Sequence, residues 1–141
     1  MSEIRPFHLA MPVNDLAKSR AFYGDLLGCP EGRSTDHWID FDLYGHQFVC
    51  HLDVTQNNEE ALCNAVDGVA VPVPHFGVIL DMQDWKALRD RLQAGGLKFV
   101  VEPQIRFEGQ TGEQATMFFT DPSGNALEFK AFADDSQIFA T

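Results

Sequence analysis

Three side chains far apart in the chain, His8, His75 and Glu128, share a setting that suits metal chemistry. Each lies in a short run where apolar residues alternate with polar or small ones, and in a strand alternate side chains point to opposite faces. Phe7, Leu9, Met11 and Val13 therefore share one face of a first strand, leaving His8 and Ala10 on the other. Phe76, Val78 and Leu80 likewise oppose His75 and Gly77, and Leu127 and Phe129 oppose Glu128. A further run sets Phe48, Cys50, Leu52 and Val54 against His51. Two imidazoles and a carboxylate are a workable ligand set for iron, manganese, nickel or zinc, and three protein ligands leave positions open for water, substrate or dioxygen. Against this, a lone histidine on a strand is more often a hydrogen-bonded residue, and no local spacing such as H-E-x-x-H ties the three together. The order of the surrounding elements is what strengthens the metal reading.

Residues 7–13 form a strand, Asn14 is placed to cap a helix with Asp15 in its first turn, and Leu16, Tyr23, Leu26 and Leu27 recur at helical spacing up to a stop at Gly28. Extended runs follow at 38–45 and 46–54, with a shorter strand at 31–35. The second half repeats the order: a strand at 75–81, a helix face of Trp85, Leu88 and Leu92 ending at Gly95-Gly96, then strands at 99–107, 114–120 and 125–133. Both halves read β-α-β-β-β, and superposing them sets His8 on His75, Val13 on Leu80 and Gly28 on Gly95. The first module is assigned to 5–54 and the second to 75–133 of a single 1–141 domain. Residues 55–74 lack steady periodicity and read as a linker, and the final DDSQIFAT reads as a loose tail. Apolar faces covered by the helices would leave the four polar side chains on the opposite, concave side of a twisted sheet.

The remaining polar residues have plainer readings. His37 and His46 fall near strand ends and are taken as surface residues, Asp40 and Asp42 as a solvated face, and Arg5, Arg20 and Arg33 as surface pairs. Asp121-Pro-Ser-Gly124 is a turn signal. Cys29, Cys50 and Cys63 are odd in number with no C-x-x-C pair, which disfavours a disulfide framework or a thiolate zinc site, and Cys50 reads as a small buried hydrophobe. The net charge of −11 argues against nucleic acid and against anionic membrane faces, leaving a small-molecule or protein partner. With no apolar run of transmembrane length and no signal-type opening, the reading is cytoplasmic.

At these residues the chain resembles the vicinal oxygen chelate superfamily, which holds glyoxalase I, type I extradiol dioxygenases, fosfomycin-resistance proteins, methylmalonyl-CoA epimerase and bleomycin-resistance proteins. The opening from His8 to Gly28, HLAMPVNDLAKSRAFYGDLLG, is similar to the glyoxalase-type start, and DPSGNALE at 121–128 is similar to the closing strand. The resemblance spans 5–133 and implies an α+β fold of two paired βαβββ modules in a cup-shaped, partly open barrel of about eight strands. It implies metal ligands at His8, His75 and Glu128, and it matches His51 to a fourth-strand position that is glutamate in glyoxalase I. The stretches RPFHLA, WIDFD, GHQ and VPVPHFG resemble small stand-alone extradiol dioxygenases. Two departures stand out: Phe118 occupies the tyrosine position of the extradiol signature, and 109–111 contain no histidine.

The resemblance thus implies a divalent-metal enzyme, first an extradiol-type dioxygenase with Fe(II) favoured and Mn, Ni, Co or Zn possible. His51 would coordinate the metal or, as favoured for a dioxygenase, stand just outside the shell as the catalytic base, with a small catechol-like molecule as substrate. The alternatives are a glyoxalase I-like lyase or epimerase working through an enediolate, and a metal-free binding protein of the bleomycin-resistance type. Since four-module cups are completed by pairing, two modules per chain predict a homodimer.

Overall fold

The computed structural model describes residues 4–56, 63–66 and 69–141. Residues 4–56 with 121–125 form one compact unit, and the remaining described residues form a second. The fold is α+β and contains the two expected βαβββ modules, each with its own sheet.

In the first unit β1 (His8–Val13) lies parallel to β4 (His46–Leu52), and β3 (Trp38–Leu43) and β2 (Glu31–Ser34) complete a sheet of order β1-β4-β3-β2. Tyr44 and Gly45, with φ of 51° and 90°, close the β3–β4 hairpin, where the left-handed pair matches the twist of the strands. Asp42 accepts the Gly45 amide in that turn, a local reason for its exposed position. Val13, Ile39, Phe41, Phe48 and Cys50 are buried, whereas Phe7, read as part of the same apolar row, is 66% exposed.

The first helix departs from expectation at its start. Asp15, not Asn14, is the cap, its carboxylate accepting the Lys18 amide at 2.9 Å. Asn14 is engaged elsewhere: its amide N–H donates to Ser123 Oγ, and its side chain donates to the Gln56 carbonyl. The helix α1 (Leu16–Ser19) widens into a π-helical segment, Arg20–Leu26, so that Phe22 and the adjacent Tyr23 are both buried. Gly28, at φ 80°, ends it as the left-handed stop expected there.

A buried polar knot ties the D-P-S-G turn into this unit. Tyr23 Oη donates to Asp121 Oδ2 at 2.7 Å, and the amides of Ser123 and Asn125 donate to Oδ1 at 2.9 Å each. Asn125 Nδ2 donates both to Asp121 and to the Pro12 carbonyl. Every acceptor of the buried carboxylate is thereby supplied, which is what makes its burial tolerable.

In the second unit β7 (His75–Phe76) and β8 (Ile79–Leu80) both pair parallel with β11 (Ala126–Phe132), so they are one edge strand interrupted at Gly77-Val78. Beside β11 run β10 (Gln114–Thr120) and β9 (Val101–Arg106). Helix α2 (Met82–Ala94), capped by Asp81, covers one face with Trp85, Leu88 and Leu92, and Trp85 Nε1 donates to the Phe129 carbonyl. The stretch read as linker contains a hairpin, β5 (Cys63–Val66) with β6 (Val69–Pro72). The tail is partly ordered by contacts of its own: Asp134 caps a short 3-10 turn, and Gln137 accepts the Gly112 amide.

Candidate metal centre

His75 opens the edge strand of the second unit, and its ring is oriented by the chain just before it. Nδ1 lies 2.8 Å from the Pro72 carbonyl oxygen. A carbonyl only accepts, so Nδ1 carries the proton, and a neutral ring then presents a bare lone pair at Nε2. That nitrogen faces Glu128 Oε1 at 3.4 Å. Two lone-pair atoms turned toward each other at this distance need a positive charge between them, either a second ring proton or a metal ion. Ligand atoms about 2.1 Å from one first-row metal stand about 3.0–3.4 Å apart at angles between square and tetrahedral, so the pair fits a shared cation.

Glu128 is held in place. Its Oε2 accepts from Thr116 Oγ1 at 2.6 Å, leaving Oε1 for His75 and for Lys130, whose Nζ lies 3.8 Å away. Phe118, opposite Glu128 in the β10–β11 ladder, sets its ring 5.0 Å from the His75 ring, centroid to centroid. Beneath it Phe118 packs with Val71, Val101 and Ala126. Glu128 keeps only 12% of its side chain exposed, whereas His75 keeps 32%, so the imidazole is the accessible half of the pair.

Gly77 makes this geometry possible. A Cβ at that position would overlap the Glu128 carbonyl oxygen, so the backbones approach more closely than any side chain permits. The break between β7 and β8 falls at this approach, where Gly77 stands level with Glu128.

In the first unit His8 is oriented the same way. Its Nδ1 lies 2.8 Å from Gln47 Oε1, an acceptor, so Nε2 is the free nitrogen here too. His51 is exposed and has no side-chain hydrogen bond among the described residues. Sheet register refines its place in the repeat. His8 pairs with Gln47 and His75 with Ala126, so Val49 is the counterpart of Glu128 and His51 that of Lys130. His51 thus stands on the same face as the Glu128 equivalent but two residues farther along the strand. Within either unit, no three His, Cys, Asp or Glu side chains among the described residues form a ligand cluster. A groove of the first unit, about 440 Å³, is lined by Glu31, Asp40, Asp42, His46 and Gln47, and neither His8 nor His51 borders it.

Arg20, Arg33 and Cys50 agree with their plainer readings, whereas Asp40, read as part of a solvated face, keeps only 14% of its side chain exposed. Arg20 pairs with Glu31 at 2.7 Å on the surface, Arg33 lies 3.9 Å from Asp40, and Cys50 is fully buried with its thiol pushed up by desolvation. His46 accepts the Phe7 amide through Nδ1 and is half-buried, a structural rather than free histidine. Thr116 and Lys130 were not among the sequence candidates. The D-P-S-G turn could have found them, since it pairs Thr120 with Ala126 and therefore Thr116 with Lys130.

The family model described as Glyoxalase/Bleomycin resistance protein/Dioxygenase superfamily matches residues 5–129. The chain belongs to that superfamily. It is 33% identical to a glyoxalase/bleomycin resistance protein/dioxygenase from Alicyclobacillus acidocaldarius, over 95% of this chain and 96% of that one, with a TM-score of 0.79. The fold is shared with the fosfomycin resistance protein FosX of Listeria monocytogenes, 18% identical over 98% and 99% of the chains, TM-score 0.66. It is shared also with a lactoylglutathione lyase from Agrobacterium tumefaciens, 18% identical over 100% and 98%, TM-score 0.65. No curated protein matches. Among the described residues no helix is long and apolar enough to cross a membrane.

Proposed function

We propose that the protein is a divalent-metal-dependent enzyme of its superfamily, an extradiol-type dioxygenase acting on a small catechol-like substrate. In this reading His8, His75 and Glu128 hold one cation, Fe(II) by preference with Mn, Ni, Co or Zn also fitting, and His51 is the base. The observation that supports it is the His75 Nε2–Glu128 Oε1 pair, 3.4 Å apart with each partner fixed from behind, which a metal would bridge when the ring is neutral. When bound, the metal would gather two neighbouring substrate oxygens and accept dioxygen.

The chain's own residues have defined tasks. The Pro72 carbonyl and Gln47 set the tautomers of His75 and His8, and Thr116 fixes the rotation of the Glu128 carboxylate. Phe118 shields the His75 ring from water on one side. Val49, at the counterpart of Glu128, has no donor atom, which supports a three-ligand site with open positions. His51 lies two residues beyond, and in this reading it takes a proton from a substrate hydroxyl and is not a ligand.

One observation favours a second reading, a glyoxalase I-like lyase or epimerase: Phe118 offers no hydroxyl where the extradiol pattern has tyrosine. Oxygen uptake with a catechol panel, on protein loaded with Fe(II) without air, tests the choice. Uptake supports the dioxygenase; isomerisation of a thiohemiacetal with Ni or Mn and no uptake supports the lyase. Binding of small molecules by metal-free protein, with no turnover under either regime, would mark a binding protein of the bleomycin-resistance type. We further propose a homodimer, which a monomer mass in light scattering at micromolar concentration would overturn.

A further inference from the structure

Lys130 stands out because the metal reading leaves it unused. It lies on the same face of β11 as Glu128, opposite Thr116 and beside Ile79. Its ammonium is 3.8 Å from Glu128 Oε1, the oxygen that His75 Nε2 also faces. Thr116 already occupies Oε2, so the His75 ring and the Lys130 ammonium converge on one oxygen. A metal held between His75 and Glu128 would take over that oxygen and leave the ammonium close by with its charge unbalanced. One third of the Lys130 side chain is exposed, so it can follow a ligand. Its counterpart in the other module is His51, so both modules carry a basic side chain at this place.

We propose that Lys130 is a substrate-binding cation: it balances Glu128 before the metal binds and then pairs with an anionic oxygen of the metal-bound substrate. This rests on the metal reading of His75 and Glu128. It specifies a substrate class in which one of the neighbouring oxygens, or a group beside them, is a carboxylate or ionised hydroxyl. A fixed ammonium favours such ligands over neutral isosteres through a charge-assisted hydrogen bond.

The test uses the full chain stripped with chelator, Mn(II) as the metal and oxalate as the probe, because oxalate carries two adjacent oxygens and two negative charges. Titration calorimetry would compare wild type with K130M, K130Q and K130R. The expected result is that K130M and K130Q bind Mn(II) at least as tightly as wild type yet bind oxalate about tenfold more weakly, while K130R stays near wild type. Undiminished oxalate binding in K130M and K130Q would overturn the role of Lys130 and leave the metal reading intact. Loss of Mn(II) binding in both variants would overturn it as well, marking Lys130 as a structural support of Glu128. Failure of wild type to bind Mn(II) would overturn the metal reading and this role with it.

Discussion

Nε2 of His75 faces Oε1 of Glu128 at 3.4 Å, while the opposite side of each group is already hydrogen-bonded, by Pro72 and by Thr116. A second ring proton bridges this pair when His75 is charged; in the proposed reading a metal ion takes that place. Two elements of the arrangement are legible in the chain, a strand that begins at His75 and a turn at 121–124, whereas the close backbone approach at Gly77 is seen only in the structure.

Thr116→Val removes the donor to Glu128 Oε2 and keeps the side-chain volume. The carboxylate is then free to rotate away from His75. Metal affinity should fall by about tenfold to a hundredfold, as for other partners of ligating groups. Titration of the stripped protein with Zn(II) or Mn(II) measures this, and an unchanged affinity would show that Glu128 needs no help in keeping its orientation.

Tyr23→Phe leaves Asp121 without one of its donors in a buried setting. The loss should be about 1.5–3 kcal/mol of stability, read as a lower urea midpoint with unchanged slope. Burial first, and then the Asp121 charge, push the Tyr23 phenol well above its usual value of 10.0. Its contribution is therefore complete below about pH 10, where the unfolded phenol begins to ionise, and declines as pH rises beyond that. The Phe variant should lose the Tyr23 part of the alkaline decline and keep the part from the buried Cys50 thiol, so urea melts at rising pH should show a shallower fall than in wild type.

Much of the second module was legible because its signals are local. Asp121-Pro-Ser-Gly124 announces the β10–β11 turn, alternation places Glu128 opposite Leu127 and Phe129, and Trp85, Leu88 and Leu92 mark the buried side of α2. What escaped depends on distant partners. Asn14 has the chemistry of a cap, yet Ser123, 109 residues away, claims its amide, and Asp15 takes the role. The hairpin within 55–74 has no clean alternation, and the pairing that orders it is between neighbours of irregular sequence. Phe7 continues the apolar row of β1 by type but precedes the strand and is exposed. Alternation puts His51 on the face that also carries Val49, the Glu128 equivalent, but only the register makes it the counterpart of Lys130 in the repeat.

His51→Ala separates base from ligand. Register places His51 beyond the counterpart of Glu128, so the variant should retain most of its metal and lose turnover by about a hundredfold or more. His51→Glu should alter metal preference without restoring oxygen chemistry. Normal metal content with normal turnover in His51→Ala would remove this residue from the site, and lost metal would make it a ligand.

The central claim is that one cation sits at His8, His75 and Glu128, and elemental analysis of protein purified without air addresses it directly. The account predicts about one divalent metal per chain in wild type and almost none in His75→Ala, with both proteins folded by circular dichroism. An unchanged metal content in His75→Ala would contradict it.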